Sequence, residues 1–231
     1  MGVERIKQLL NEKRLVVLFR NVPLEKMADV SKALVKGGIK ILEITFDQTQ
    51  EDPHAVFKNA VSIVREAVGS ELCLGAGTVL DELQVRTAYE AGAEFIVSPN
   101  TNKKVIELTK KLGMLSVPGA LTPTEITYAW DCGADIVKLF PADDMGFHYI
   151  WNIRGPLPHI PMMATGGVNK ETIPKFLKSG INYVGTGISV VDRDMLNAND
   201  YEGIGRLAKE HVEVIETYFA EELLVRKEKN E

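Results

Sequence analysis

The chain has few cysteines, no long apolar run, no block of charge of one sign and no linker-like stretch. Each absence excludes something. Among 231 residues only Cys73 and Cys132 are cysteines. They show no metal-ligand spacing, and a reduced, cytoplasmic chain is expected. No apolar run approaches the roughly 20 residues of a membrane-spanning helix. The first segment, MGVERIKQLLNEKR, is too polar for a secretory signal. With a formal net charge of −5 and acids and bases interspersed, no nucleic-acid-binding surface is advertised. His54, His148, His159 and His211 form no metal-ligand cluster and read as structural or solvent-facing. No Pro/Gly/Ser-rich linker divides the chain, so residues 1–231 read as one domain.

What is present is ordinary globular composition, 45% hydrophobic and 26% charged. Short apolar runs alternate with longer amphipathic ones. The strand candidates are 15–20, 40–45, 72–76, 94–98, 114–117, 135–140, 161–164 and 181–185. Helical patterns lie between them at 24–36, 54–68, 81–91, 102–112, 122–132 and 170–179. Right-handed crossovers between so many parallel strands favour closure into a (β/α)8 TIM barrel over an open sheet. Segment 3–13 reads as an extra helix plugging the bottom of the barrel, and 143–155 allows only a short helix. A long amphipathic helix runs from 200 to about 226, with Ile204, Leu207, Val212, Ile215, Phe219 and Leu223 on its apolar face. The charged tail VRKEKNE beyond it is expected to fray.

Lys138 stands out within the run Asp135–Ala142. Alternation puts it on one face with Ile136 and Phe140. A buried ammonium without a partner is costly, so such an amine neutralises or does chemistry, for example by attacking a carbonyl to form a Schiff base. A strand-end lysine reaching solvent is the plain alternative. A parallel barrel gathers its chemistry at the carboxyl ends of its strands. There stand Arg20, Glu43 and Thr45, Gly75–Thr78, Ser98–Asn100, Lys138, Thr165–Gly167 and Gly185–Gly187. Glu43 faces inward with Ile41 and Thr45, so it is either the acid/base for imine chemistry or half of a structural ion pair. Arg20 is a carboxylate or phosphate clamp or a surface arginine. Thr78 is a carboxylate contact or a helix N-cap before Asp81. The glycine pairs after the last two strands are phosphate-binding loops or plain turns.

At this level of detail the chain resembles the class I aldolases that cleave 2-keto-3-deoxy-6-phosphogluconate (KDPG) or 4-hydroxy-2-oxoglutarate (KHG). The resemblance runs from about residue 12 to 195. It rests on ILEIT (41–45), GAGTV (75–79), SP (98–99), PGALTPTE (118–125), KLFPA (138–142) and TGGV (165–168), all in register. It implies Lys138 as the Schiff-base nucleophile and Glu43 as the acid/base working with a water. Thr78 and Pro99 would line a pyruvate pocket, Phe140 would pack beside the imine, and Gly166 and Gly167 would face a phosphate. Arg20 matches a basic residue that ends the first strand in that family. The resemblance also implies a homotrimer acting on a small keto acid, with no metal and no cofactor.

Two departures bear on substrate. The family continues its glutamate motif into an arginine that holds the substrate carboxylate, whereas this chain has Asp47. Replacing that cation by an anion turns attraction into repulsion, a change on the order of a few kcal/mol at partly shielded distances. Asp47 is then expected to contact substrate hydroxyls. At the last strand the family places a serine after its second glycine, but here Ile188 follows Gly187 and Ser189 comes one place later. A slip of one residue reverses side-chain direction in extended chain. The sequence therefore predicts an aldehyde-lyase releasing pyruvate from a 2-keto-3-deoxy sugar acid, phosphorylated or not, or from 4-hydroxy-2-oxoglutarate. The rival expectation is a catalytically weak barrel that binds a sugar acid or sugar phosphate. A phosphate-binding isomerase or decarboxylase barrel fits the inward lysine less well.

Overall fold

In a computed structural model, which describes residues 2–228, the chain forms a parallel barrel wrapped in helices. The strands are β1 (Leu15–Phe19), β2 (Ile41–Thr45), β3 (Cys73–Gly77), β4 (Phe95–Val97), β5 (Leu115–Val117), β6 (Gly119–Ala120), β7 (Val137–Leu139), β8 (Met162–Thr165) and β9 (Tyr183–Thr186). Their order is β5-β4-β3-β2-β1-β9-β8-β7-β6, with every pairing parallel. The nine pieces make an eight-membered ring because β5 and β6 are halves of one strand, interrupted at Pro118. Proline has no N–H to give to a ladder, so β5 pairs with β4 and β6 with β7. The seam is closed by backbone bonds from Asp135 N to Ser116 O (3.0 Å), Lys138 N to Pro118 O (2.8 Å) and Phe140 N to Ala120 O (3.1 Å).

The helices are α1 (Val3–Lys13), α2 (Leu24–Lys36), α3 (Pro53–Val68), α4 (Glu82–Glu90), α5 (Lys103–Lys111), α6 (Pro123–Asp131), α7 (Gly146–Arg154), α8 (Ile173–Lys178), α9 (Arg193–Ala198) and α10 (Tyr201–Glu228). Strand alternation sorts the apolar residues into two cores. Val17, Leu42, Ile44, Val137 and Leu139 face the helices. Val16, Ile41, Cys73, Phe95, Leu115, Ile136, Met163 and Tyr183 fill the barrel interior. Ile6 and Leu10 of α1 belong to this inner cluster, so the first helix does plug the barrel. Burial of each adds about 2 kcal/mol. Cys73 is part of the same filling; burial is the main reason its thiol is pushed up to about 12, which leaves it unreactive.

α7 is the short helix expected within 143–155, nine residues long from Gly146. Other expectations are corrected by the structure. α9 was not foreseen; Asp192 caps it by accepting from Asp194 N and Met195 N, and Asn199 ends it in the left-handed region. On α10 the residues that pack inward are Ile204, Ala208, His211 and Ile215. Gly37 allows this close approach, since a Cβ there would lie 2.5 Å from that of Ala208. Leu223, expected on the packed face, is 61% exposed, because by that point the helix has run past the barrel. The helix itself continues through Glu228; the remainder of the tail expected to fray, residues 229–231, lies outside the described residues. No described helix is long and apolar enough to cross a membrane.

Asp135 locks the seam and the plug together. Its carboxylate, only 5% exposed, pairs with Lys110 (2.6 Å) and with Lys7 of α1 (3.0 Å), and accepts from Ser116 N (3.0 Å). Burial alone would raise its pKa, but the bonds from Lys110, Ser116 and Lys7 hold it below the ordinary aspartate value. Asp135→Asn is expected to cost roughly 3 kcal/mol at neutral pH, since it leaves two lysines without their buried partner. A group with a depressed folded-state pKa stabilises above its unfolded value, so the penalty should shrink as pH falls below about 4. Urea unfolding midpoints of the two proteins at pH 7 and pH 3.5 measure both effects.

Candidate active site

Glu43 and Lys138 stand on opposite walls of the barrel, because β2 and β7 are four strands apart in a ring of eight. Alternation turns both inward: their neighbours Leu42 and Ile44, and Val137 and Leu139, pack against the helices. Both side chains are enclosed, Glu43 at 0% exposure and Lys138 at 2%. Lys138 is therefore held inside the barrel and does not extend out into solvent. Nor is there an ion pair: neither Glu43 oxygen has a hydrogen-bond partner. Room for the carboxylate comes from the strand beside it, where a Cβ on Gly77 would lie 1.7 Å from Glu43 Oε1.

Burial acts on the two groups in opposite senses, favouring the neutral form of each. It raises the Glu43 carboxyl above its ordinary range, with the Lys138 and Arg20 cations only partly offsetting it. It lowers the Lys138 amine, against the pull of Glu43 and with added help from the Arg20 charge. The site thus pairs an amine kept nucleophilic with a carboxyl able to hold a proton. Phe140 lies beside them, its ring centroid 4.7 Å from Lys138 Nζ, near enough to stabilise a cation on that nitrogen.

The remaining residues expected from sequence stand around the same mouth. Arg20 is exposed at the end of β1, and its Nη2 donates a long bond of 3.4 Å to Thr78 Oγ1. Thr78 is not a helix cap: α4 is capped by Asp81. It sits at φ 57, a region costly for a β-branched residue and frequent at functional sites. Pro99 is half-buried at the end of β4, and Gly119 permits its approach, since a Cβ there would lie 2.4 Å from Pro99 C and O. Gly166 and Gly167 follow β8 with φ of 104 and 63. Asp47 turns into its own loop, with Oδ1 accepting from Thr49 N (3.0 Å) and Thr49 Oγ1 (2.6 Å) and Oδ2 from Gln50 Nε2 (2.8 Å). These bonds hold its carboxyl below the ordinary value. Ser189 points away from the mouth, to Val168 O (2.9 Å), Thr186 Oγ1 (2.6 Å) and His211 Nε2 (3.1 Å), as the one-residue slip implied.

Two residues at this mouth were given no role from sequence. Thr165 is inward on β8, and its buried hydroxyl has no partner; its alternation with Met163 was a usable signal. Asp143, in the loop after β7, lies against Gly166 and Gly167, a contact between distant loops that no local pattern announces.

Fold and site define a (β/α)8 barrel with an inward lysine and carboxylate at the carboxyl ends of its strands. Comparison with known proteins narrows this. The family model for KDPG and KHG aldolase matches residues 6–207. The 2-dehydro-3-deoxy-phosphogluconate aldolase of Haemophilus influenzae is 30% identical over 92% of this chain and 97% of that enzyme. The 2-dehydro-3-deoxy-6-phosphogalactonate aldolase of Escherichia coli is 31% identical over 75% of this chain and 82% of that enzyme. Among solved structures, the 2-keto-3-deoxy-6-phosphogluconate aldolase of Zymomonas mobilis with 3-phosphoglycerate is 27% identical. It superposes with a TM-score of 0.79 over 91% of this chain and 96% of that one. The chain belongs to the KDPG and KHG aldolase family, whose members are carbon–carbon lyases acting on small keto acids.

The Gly77–Glu43 contact gives a direct test of the site's construction. Gly77→Ala is expected to displace the carboxylate and lower kcat by about 100-fold or more, the scale on which a positioned acid/base contributes. Steady-state kinetics beside a circular-dichroism melt separates this loss from unfolding.

Proposed function

We propose that the chain is a Schiff-base aldolase that splits a 2-keto-3-deoxy sugar acid into pyruvate and an aldehyde. The observation that carries the reading is the enclosed, unpaired Lys138–Glu43 set, with burial driving both groups toward neutrality. Neutral Lys138 attacks the C2 carbonyl and loses water to give the imine. Glu43, working through a water, takes the proton of the C4 hydroxyl as the C3–C4 bond breaks. The electron pair of that bond passes into an enamine, and the protonated nitrogen acts as the sink. Return of a proton to C3 and hydrolysis of the imine release pyruvate and restore both groups.

In this reading Arg20 and Thr78 hold the keto-acid carboxylate, and Pro99 and Phe140 wall the pyruvate pocket. Asp47, already bonded within its own turn, shapes the loop after β2 and presents its remaining lone pairs to substrate hydroxyls. Similarity is nearly equal to enzymes named for gluconate and for galactonate derivatives, so identity does not choose the sugar. The family resemblance adds a homotrimer and independence from metals, and the sparse cysteines fit a reduced, cytoplasmic chain.

Incubation with pyruvate and borohydride should reduce the imine to a stable adduct on the peptide carrying Lys138, read by peptide mass spectrometry. An unmodified Lys138 peptide, from protein that is folded, would sink the imine mechanism. The charge of Arg20 supplies a second test. Its cation disfavours the ammonium form of Lys138, so Arg20→Ala should raise that pKa. The acid limb of the trapping rate against pH is then expected to move to higher pH; an unmoved or lowered limb contradicts the assignment.

A further inference from the structure

We infer that Gln48 is a positioning residue for the keto-acid carboxylate, holding the Thr78 backbone so that the Thr78 hydroxyl stays turned to the mouth. The inference rests on the aldolase reading and adds a residue to it. Thr78 lies just past the end of β3 at φ 57, where a β-branched residue persists only if its surroundings hold it. A rigid peptide plane stands on either side of it, and fixing both planes fixes φ and ψ. The plane before Thr78 is pinned by Phe46 N, which donates to Gly77 O (2.9 Å). The plane after it is held at both edges. Val79 N donates to Val97 O (3.2 Å), and Gln48 Nε2 donates to Thr78 O (3.0 Å).

The neighbours of Gln48 admit one orientation of its amide. Leu80 N can only donate, and its partner is Gln84 Oε1 (2.7 Å). That turns Gln84 Nε2 to Gln48 Oε1 (2.9 Å). Gln48 is left with its own NH2 group facing Thr78 O, a bond that an amide can donate and a carboxylate cannot. The relay thus runs from one main-chain donor to a main-chain acceptor two residues earlier, bracing residues 78–80 from the side. Gln84 is a firm base for it, buried on α4 with its own N–H given to Asp81 Oδ1 (2.8 Å). Gln48 is exposed and is carried to Thr78 by the turn that Asp47 closes through Thr49 and Gln50.

The Thr78 hydroxyl meets Arg20 Nη2 at 3.4 Å, a long bond that is readily exchanged for better ones. A carboxylate between the two groups accepts one hydrogen bond from each, and both are charge-assisted. Without Gln48 the Thr78 carbonyl loses its side-chain donor, and the backbone relaxes from the left-handed region, carrying the hydroxyl away from Arg20. Lys138 and Glu43 stand on β7 and β2, outside this relay. The loss therefore falls on carboxylate binding and spares the imine chemistry.

The test is the rate of borohydride trapping against pyruvate concentration in four proteins: wild type, Gln48→Met, Thr78→Ala and the double variant. Gln48→Met keeps the length of the side chain and removes both amide bonds. It should raise half-saturating pyruvate about tenfold and leave the rate at saturation within about twofold. With the Thr78 hydroxyl already gone, the same substitution should move half-saturation by less than about twofold. Three results overturn the inference: an unchanged half-saturation in Gln48→Met, a loss confined to the saturating rate, or a tenfold rise that persists in the Thr78→Ala background. A circular-dichroism melt checks folding, and Gln48→Ala takes the place of Gln48→Met should that variant unfold. Any of the three results with a Lys138 adduct in wild type refutes only the role of Gln48. No adduct at any pyruvate concentration refutes the aldolase reading beneath it.

Discussion

The removal of Lys138 and Glu43 from water without an ion pair between them is the constraint on which the rest of the site depends. In water each group would be charged at neutral pH; enclosed, each is pushed toward its neutral form. A direct ion pair would reverse that, restoring charge to both and making the amine a poor nucleophile. The barrel prevents it by placing the two on strands four apart in a closed ring. The surrounding packing keeps them there: Gly77 yields its side-chain space to Glu43, and the apolar interior below them excludes solvent.

The mouth is built by removing side chains as much as by adding them. Gly77 opposite Glu43, Gly119 against Pro99, and Gly185 beside Thr165 each stand where a methyl group would collide, the last at 2.9 Å from the threonine hydroxyl. These contacts run between neighbouring strands. They position the polar groups that an unsubstituted backbone leaves room for. The bottom of the barrel works the other way, filled by α1 and sealed by charges that cross the seam at Asp135. Rigidity at that end and space at the other are two results of one alternation.

Family membership leaves the substrate to the details in which this chain departs from its relatives. Asp47 places an anion in the loop after β2, and Ile188 lies at the end of β9 with Ser189 folded inward. Both positions lie at the mouth, where they bear on substrate without altering the inward lysine and carboxylate.

Much of this was legible in the residue pattern. Apolar runs of strand length between amphipathic segments gave the barrel, and alternation by itself turned Lys138 and Glu43 to the same interior. These are local properties, fixed by the chain's own period. The pattern did not reveal α9, since six residues carry too few turns for a periodic signal, nor the exposure of Leu223, which lies on the correct face of a helix that outruns its support. Sequence alone determined which residues face inward and at which end of the barrel they gather. Only the tertiary structure decided that Lys138 and Glu43 do not pair, that Thr78 is free of capping, and that Asp143 lies on the glycine loop. Those outcomes depend on distances between strands and loops far apart in the chain, set by ring closure and packing and carried by no local period.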